Sequence, residues 1–478
     1  MEKVALEFRD NYKYPDVFDD LQDDGSVDIH DMVCRLFYSL DMDSENYGTR
    51  VWNPLGKYVS PGDNVVIKPN LVLHKNYCSR YKNNIECVHT NVSIVKEIID
   101  FTIVALKGEG RIVVGDAPVQ ECDFDFLVEK SGYRKLINSY KDKGINIELI
   151  DFRGVRSVSD YGVLHQFENE NEKGVIVNLG DISEFADEDT EKISRVRITN
   201  FDPNELVKHH NEEIHEYCVS SHILEANVVI NVPKPKTHRK AGMTACLKNL
   251  VGINCRKEYL PHHTKGSIEE GGDEYRRKNA IKQIQSNFHD KFCLSVGNEN
   301  YFRARFYQIL ILCCDILVNN FVSDKSSFGS WCGNRTISRT IIDLNKIIKY
   351  ADKDGNMTNT VQRKIFNIAD MIVSGEHNGP MAPEPKNVGL IVAGENSYAC
   401  DYVIAKLMGA RISDIPSLNI DDNSSYPLFD NIKNNEENIL VVSNDERWNN
   451  KSAQGLSDNY FSFVSPDNWE SAFFSSEL

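Results

Sequence analysis

The sequence predicts an α/β fold: a mostly parallel sheet with crossover helices in Rossmann-like layers, and a helical insertion or cap in the middle. Short apolar runs typical of buried strands recur along the chain, for example at residues 64–67 and 227–232. Amphipathic helical patterns alternate with them, most clearly at residues 89–106. This alternation favours parallel strands that are joined by helices.

The elements are predicted one by one from these patterns and from turn residues. The first strand, residues 64–68, follows the turn Pro61-Gly62-Asp63. The helix at residues 89–106 is entered through Thr90 or Asn91, which are favourable N-caps. The other predicted strands are residues 111–114, 145–150, 227–232, 366–373 and 387–393. The other predicted helices are residues 33–40, 124–140, 212–224, 336–350 and 397–408, the last closed by Gly409.

Five segments follow from this reading. They are an acidic N-terminal segment (1–45), the first part of the α/β core (46–254), a loop and helical insertion (255–365), the last part of the core (366–420) and a polar C-terminal tail (421–478). The longest apolar stretch, residues 307–318, is too short for a bilayer, which needs about 20 residues. It is interpreted as a buried helix, so no membrane span is expected.

Composition excludes some classes of function. With 54 Lys and Arg against 71 Asp and Glu, the formal net charge is −17, which argues against a general nucleic-acid binder. No secretory signal is visible, and the 12 cysteines form no CxxC pair. We therefore expect a cytoplasmic protein with reduced thiols, in which an iron–sulfur cluster is unlikely from the cysteine spacing.

Polar segments follow four of the predicted strands. They are Lys68-Pro69-Asn70-Leu71, Gly115-Asp116-Ala117-Pro118, the run from Pro233 to His238, and the run from Ser374 to Pro380. Ligands of open α/β sheets bind outside the carboxyl ends of the strands. Lys68, Lys234, Lys236 and His238 would meet Asp116 and Glu376 there, the lysines binding an anion and the carboxylates a metal, a hydroxyl or a proton. Taken singly, each segment is also compatible with a solvated turn.

Two later segments add candidates. Lys248 and Asn249 lie in an otherwise apolar short helix, where a buried lysine must be paired or must face a ligand. The start of that helix, near Thr244, also offers backbone N–H groups to an anion. His262 and His263 precede the glycines of a loop that could close over a ligand, although their adjacent spacing is unusual for one metal ion.

In this order, the segments resemble the bacterial and archaeal family catalogued as domain of unknown function 362. The matching stretches include VVIKPNL, VVGDAP, VVINVPKPKTHRKAGMTACLKNLVGI and ADMIVSGEHNGPMAPEPKNVGLIVAG. The segments LPHHTKGSIEEGGDEY and WCGNRTISRTIIDLNKIIKYADKDG look like the branch that is often encoded beside surface-polysaccharide genes. The resemblance implies a site rather than a reaction, at Lys68, Asn70, His89, Asp116, Lys234, Lys236, His238, Lys248, Asn249, Glu376 and Asp401.

Three hypotheses remain open. The first is an enzyme that acts on a small anionic metabolite, such as an acidic, phosphorylated or nucleotide sugar, in envelope glycan synthesis. Its catalytic groups would be Lys236, His238, Lys248 and His89; its substrate-binding residues would be Lys68, Asn70, Asp116, Lys234, Asn249, His262 and His263. A divalent metal could be held by Asp116, Glu376 and Asp401. The second is a non-catalytic anion-binding or scaffold protein. The third is a cofactor- or metal-dependent oxidoreductase or racemase. Under each hypothesis, the protein could also form a homo-oligomer or bind a partner protein.

Overall fold

A large mixed sheet, mostly parallel, forms the centre of the molecule. The computed structural model describes residues 1–18, 25–160, 163–170, 172, 174–421, 425–429, 432–458 and 460–474. In chain order the strands are β1 (Glu2–Phe8), β2 (Asn64–Pro69), β3 (Arg111–Asp116), β4 (Ile147–Asp151), β5 (Val155–Asp160), β6 (Val163–Glu168), β7 (Val175–Asn178), β8 (Val196–Arg197), β9 (Glu216–Val219), β10 (Val228–Val232), β11 (Lys236–His238), β12 (Gly242–Thr244), β13 (His263–Thr264), β14 (Lys364–Asn378), β15 (Ala382–Gly394), β16 (Ile439–Ser443) and β17 (Lys451–Ser452).

The helices flank this sheet or lie between its strands in sequence. They are α1 (Ile29–Ser39), α2 (Val92–Leu106), α3 (Phe124–Lys130), α4 (Tyr133–Asp142), α5 (Thr190–Ile193), α6 (Pro203–Leu206), α7 (Ser221–Leu224), α8 (Cys246–Asn249), α9 (Ala280–Gly297), α10 (Tyr301–Phe321), α11 (Thr336–Tyr350) and α12 (Ser397–Met408). None of the described helices is both long and apolar enough to cross a membrane.

The strand order explains where a site can form. The sheet runs β17-β16-β1-β15-β14-β10-β2-β3-β4, with β11 beside β14 and β12 beside β11. The strands β14, β10, β2, β3 and β4 are parallel neighbours, so their carboxyl ends lie along one edge. The antiparallel β14–β15 hairpin, and β1 between β15 and β16, complete the sheet. The prediction of a mixed α/β fold with a large, mostly parallel sheet is therefore confirmed.

Capping residues and apolar periodicity correctly predicted the ends of several helices. Asn91 caps α2, its side chain accepting from the backbone N–H of Ser93. Gly409 ends α12 in the left-handed conformation, with φ of 83°, which costs glycine little. The helix predicted at residues 336–350 is α11.

Three predictions about elements were wrong, each because a non-local partner or a local break decided the outcome. The helix predicted at residues 124–140 is broken at Gly132, whose φ is 82°, into α3 and α4. The helix predicted at residues 212–224 contains β9, because β7 offers its backbone an antiparallel partner. The apolar stretch predicted to be a buried helix lies in α10, but its side chains Ile309, Leu312, Ile316 and Leu317 are exposed.

Both terminal segments contribute to the central sheet. Residues 1–45 supply β1, in which Val4, Ala5 and Leu6 are buried, as well as α1. Residues 421–478 supply β16, which pairs with β1 in parallel. The acidic start and the polar end of the chain therefore share one sheet with the strands that carry the predicted motifs.

Candidate functional site

A cavity of about 410 Å³ lies at the carboxyl ends of the parallel strands. The residues after β2, β3, β4 and β10 converge on it, as expected where ligands bind open α/β sheets. It is lined by seven of the residues predicted from the sequence: Asn70, Asp116, Lys236, His238, Lys248, Asn249 and His262.

Lys68 and Asp116 form a buried ion pair at the floor of this cavity. Lys68 Nζ lies 2.7 Å from Asp116 Oδ1, and Asp116 Oδ2 accepts from the backbone N–H of Leu71 at 2.7 Å. Burial lowers the pKa of Lys68, while Asp116 opposes the shift. A Cβ at Gly252 would come within 2.0 Å of Asp116 Oδ1, so glycine is required there for the pair to form. Lys68 therefore holds Asp116 rather than a ligand.

Lys236 is the buried amine of the site. Its Nζ donates to Asn70 Oδ1 at 2.9 Å and to the carbonyl of Val88. Burial lowers its pKa to about 7, and the neighbouring Lys234 and Lys248 contribute to the shift. A neutral amine has two hydrogens, both engaged by these acceptors, so its lone pair is directed away from them. This is the arrangement that a general base near neutral pH requires.

A row of buried asparagines orients Asn70. Asn70 Nδ2 donates to Asn249 Oδ1 at 2.9 Å, and Asn249 Nδ2 donates to Asn231 Oδ1 at 2.8 Å. Asn231 Nδ2 in turn donates to Asn367 Oδ1 at 2.8 Å, and Asn367 Nδ2 donates to the carbonyl of Gly394 at 3.2 Å. Because every amide points the same way, the Oδ1 atom of Asn70 faces Lys236. Asn231 and Asn367 were missed in the sequence, although each is a polar residue within a largely apolar strand segment.

The two cavity histidines present opposite groups at Nε2. The backbone N–H groups of Lys240 and Ala241 both donate to Nδ1 of His238, at 3.1 Å each. The proton of neutral His238 therefore lies on Nε2, where it can be donated. Nδ1 of His262 lies 2.6 Å from the carbonyl of Leu260 and must donate to it, which leaves Nε2 as an acceptor. Burial lowers the pKa of both rings well below its usual value, so both are neutral near pH 7.

Cations dominate the rest of the lining. Within the described part of the chain, the ammonium groups of Lys248 and Lys257 have no hydrogen-bond or ion-pair partner, and burial lowers the pKa of both, that of Lys248 to about 8. Lys240 donates to Thr199 Oγ1 at 2.7 Å and has its pKa lowered to about 7 by burial. Arg239 also lines the cavity. Of the two carboxylates in the lining, Asp116 is paired with Lys68, and Glu121 accepts from the hydroxyl of Tyr77 at 3.0 Å. The cavity is therefore suited to an anion.

Arg153 is a lining residue that the sequence reading did not select. It is 1% exposed and binds Asp151, while its Nη1 donates to the carbonyls of Val119, Gln120 and Cys122 at 2.9–3.0 Å. It braces the loop after β3 that forms one wall of the cavity. The signal was present, because Asp151 and Arg153 occur where a further strand, β4, ends.

Lys234 lies outside the cavity lining and has buried partners. Its Nζ lies 2.8 Å from Asp370 Oδ2 and donates to the hydroxyl of Tyr14 at 2.8 Å. Tyr14 in turn donates to Asp370 Oδ1 at 2.6 Å, and burial beside Asp370 raises its pKa well above the usual value. These contacts join the N-terminal segment to β14 and give Lys234 a structural role.

The three carboxylates predicted to hold a metal lie in separate networks. Asp116 pairs with Lys68. Glu376 accepts from the backbone N–H of Val464 at 2.9 Å and pairs with Lys386. Asp401 accepts from the N–H groups of Cys246 and Leu247, at 2.6 and 3.1 Å, at the start of α8. No group of three or more His, Cys, Asp or Glu in the described residues is arranged to hold a metal ion.

This arrangement corrects the expectation about the start of α8. An anion was expected at its backbone N–H groups, but the protein supplies its own carboxylate there. Burial raises the pKa of Asp401 to about 7, against the opposing effect of these two hydrogen bonds.

His89 and His263 are buried outside the cavity lining. His89 Nδ1 donates to the carbonyl of Thr90 at 3.1 Å, and its Nε2 has no hydrogen-bond partner among the described residues. Burial lowers its pKa to about 4. His263 lies in β13, paired with β8, and its ring packs against Phe328. Neither ring is therefore in the cavity lining to which Lys236 and His238 belong.

The central part of the chain matches a known family model, and the chain as a whole is similar to a curated protein. The family model described as Domain of unknown function (DUF362) matches residues 183–406. The thylakoid-associated protein sll1697 of Synechocystis sp. (strain ATCC 27184 / PCC 6803 / Kazusa) is 21% identical over 364 residues, which is 76% of this chain and 68% of that protein. The family match contains Lys236, His238 and Lys248, while Asn70 and Asp116 precede it. Neither description names a reaction.

Proposed function

We propose that the protein is an enzyme that binds a small anionic metabolite in this cavity and moves a proton with Lys236. The observation that carries the proposal is the environment of Lys236: full burial, a pKa lowered to about 7, and two fixed acceptors for its hydrogens. The unpartnered ammonium groups of Lys248 and Lys257 are suited to bind carboxylate or phosphate oxygens. His238 supplies an N–H to the oxygen on which negative charge develops.

The substrate class follows from the size and lining of the cavity. Its volume of about 410 Å³ is within the usual range for small-molecule sites. The cations lie beside the apolar side chains of Val72, Leu260 and Ile337. We propose an acidic, phosphorylated or nucleotide sugar, or a similar carboxylate, in envelope glycan synthesis, as the resemblance to the polysaccharide-associated branch implies. A cytoplasmic location is part of this proposal. Cell fractionation tests it, because the name of the Synechocystis protein associates that protein with thylakoids.

The experiment separates binding from proton transfer. Calorimetric titration with pyrophosphate and with nucleotide sugars measures binding, and exchange of substrate C–H protons in D₂O, followed by NMR, measures proton abstraction. Lys248→Met is expected to weaken binding about 10- to 100-fold, because a charged hydrogen bond contributes about 1.5–3 kcal/mol. Lys236→Met is expected to abolish exchange while the dissociation constant changes less than in Lys248→Met. Lys141→Met, on the exposed surface of α4, is the control.

The pH dependence follows from the state of Lys236. Its amine is neutral above a pKa of about 7, so the exchange rate at saturating substrate is expected to rise as pH increases from 6 to 8. Anion affinity is expected to fall over the same interval, because the cationic form of Lys236 is lost. An exchange rate in Lys236→Met equal to that of the unchanged protein contradicts its role as the base. Tight binding without exchange for every probe favours the alternative of a non-catalytic anion-binding protein.

A further inference from the structure

One face of α10 is apolar and exposed along its length. Phe302 is 90% exposed and Ile316 is 61% exposed, although side chains of this type are usually buried. The opposite face, with Ala304, Cys314 and Val318, is buried. The helix therefore presents to solvent the side that a soluble protein normally covers.

The exposed positions follow a regular spacing. They alternate by four and three residues: Phe302, Phe306, Ile309, Cys313, Ile316 and Asn320. This is the spacing of the a and d positions of a coiled coil, with Phe302, Ile309 and Ile316 at d. The buried Ala304 and Val318 fall at f, the position farthest from such a seam. One side of α10 therefore packs within the chain, and the opposite side carries the exposed a and d positions.

The area is large enough for a stable interface. Phe302 at d and Phe306 at a, which are 90% and 54% exposed, present on the order of 300 Å² of aromatic surface. With the exposed side chains of Ile309, Leu312, Ile316 and Leu317, the face reaches on the order of 650 Å², close to the ~800 Å² that each partner buries in a standard interface. A patch of this size exceeds the ~300–600 Å² of the largest apolar patch on a typical monomer.

We propose that this seam pairs with α10 of a second copy of the chain, with the two helices parallel about a two-fold axis. In a parallel pair, Asn320 at an a position meets Asn320 of the second copy, and the two amides can bond to each other. In an antiparallel pair centred on the helix, Asn320 would face Phe302 and lose that partner. Arg305, at g, faces Leu310, at e, in the parallel pair, so no like charges are brought together.

A lipid surface fits this face less well. Interfacial helices carry their Lys and Arg residues on a polar face turned to water. The side of α10 opposite the apolar seam is instead buried in the protein, and Asn320 lies within the seam itself. Binding to anionic vesicles is therefore an alternative outcome of the test.

Sedimentation of the full-length chain tests the dimer. At micromolar concentration the unchanged protein is expected to sediment as a dimer, and Ile309→Glu/Ile316→Glu as a monomer with an unchanged far-ultraviolet circular dichroism spectrum. Val104→Glu, at a 47% exposed site on α2, is the matched control and is expected to remain dimeric. A monomeric unchanged protein at tens of micromolar overturns the proposal. If that monomer binds phosphatidylglycerol vesicles and Ile309→Glu/Ile316→Glu does not, the face is assigned to lipid.

Cys313 tests the parallel arrangement independently. It is an exposed free thiol at an a position, so in a parallel pair it faces Cys313 of the second copy. Mild oxidation is expected to yield a disulfide-linked dimer that Cys313→Ser abolishes. A dimer that gives no Cys313 crosslink overturns the parallel geometry, because residues at a would then face d.

Discussion

Single residues decide which of the candidate lysines is available to a ligand. Lys68 and Lys234 each have a buried carboxylate within 2.8 Å, whereas Lys248 has no partner among the described residues. Lys68 and Lys234 follow predicted strands and Lys248 lies in a short apolar helix, but none of these settings shows which lysine has a carboxylate partner. That depends on the position of Asp116 and Asp370 in space. Nearness to a strand end in the sequence indicated where the cavity lies. It did not indicate which ammonium groups already have a carboxylate partner.

A stability measurement distinguishes the structural role of Lys234 from a binding role. Lys234→Met is expected to lower the free energy of unfolding by about 3–5 kcal/mol, because Asp370 is left as a buried, uncompensated charge. Lys141→Met, at an exposed site, is expected to change it by less than about 0.5 kcal/mol. Urea unfolding measures both. Equal stability of the two variants would mean that Lys234 is not held by Asp370 and is free for a ligand.

At the scale of elements, the asparagine row links four parts of the fold. Asn70 follows β2, Asn249 ends α8, Asn231 lies in β10 and Asn367 lies in β14. Apolar periodicity predicted β10 and β14, yet it gave no reason for an amide inside them. The reason appears only when the strands pair, since Asn231 and Asn367 are then direct neighbours.

Two substitutions in β14 test this row. Asn367→Ala removes the acceptor of Asn231 and of Ser397. It is expected to lower the free energy of unfolding by about 1–3 kcal/mol for each group left unpaired. Ser374→Ala is the matched control, because the Ser374 hydroxyl is buried in the same strand without a partner in the described structure. Its effect on the free energy of unfolding is expected to be small or stabilising. Similar losses in the two variants would count against a connected row.

Two of the three mispredicted elements share one cause. β9 exists because β7 pairs with it, and α10 is exposed on the face that is turned away from α9. Hydrophobic periodicity reports that a face is apolar, not which surface covers it. By contrast α2 and α12, whose ends are set by Asn91 and Gly409, were predicted almost to the residue.

At the scale of the whole molecule, the sheet joins the two ends of the chain. β1 has β15 on one side and β16 on the other. The acidic and polar composition of the terminal segments gave little sign of this, since β1 is only seven residues long. The parallel centre of the sheet was predictable from alternating elements; its completion by β1 and β16 depends on pairings across nearly the full sequence.

Substitution within β1 tests how much the molecule depends on this strand. Val4→Asp places an unpaired charge at a fully buried position. A loss of about 3 kcal/mol or more in the free energy of unfolding is expected, equivalent to a fall in Tm on the order of 3 °C or more for a chain of this length. Val158→Asp, at a 60% exposed position of β5, is the control. Limited proteolysis should then cut residues 432–458 faster in Val4→Asp. Unchanged Tm and cleavage would show that β1 is dispensable.

The position of β1 also sets an order of events during synthesis. Val4 pairs with Gly394 and Val441, so β1 leaves the ribosome long before either neighbour exists. At about 5–20 residues per second, the wait is on the order of 20–80 s. During that time an apolar segment has no final partner and needs shielding by a chaperone or by temporary contacts. The central sheet is therefore closed only after residues 439–443 have been synthesised.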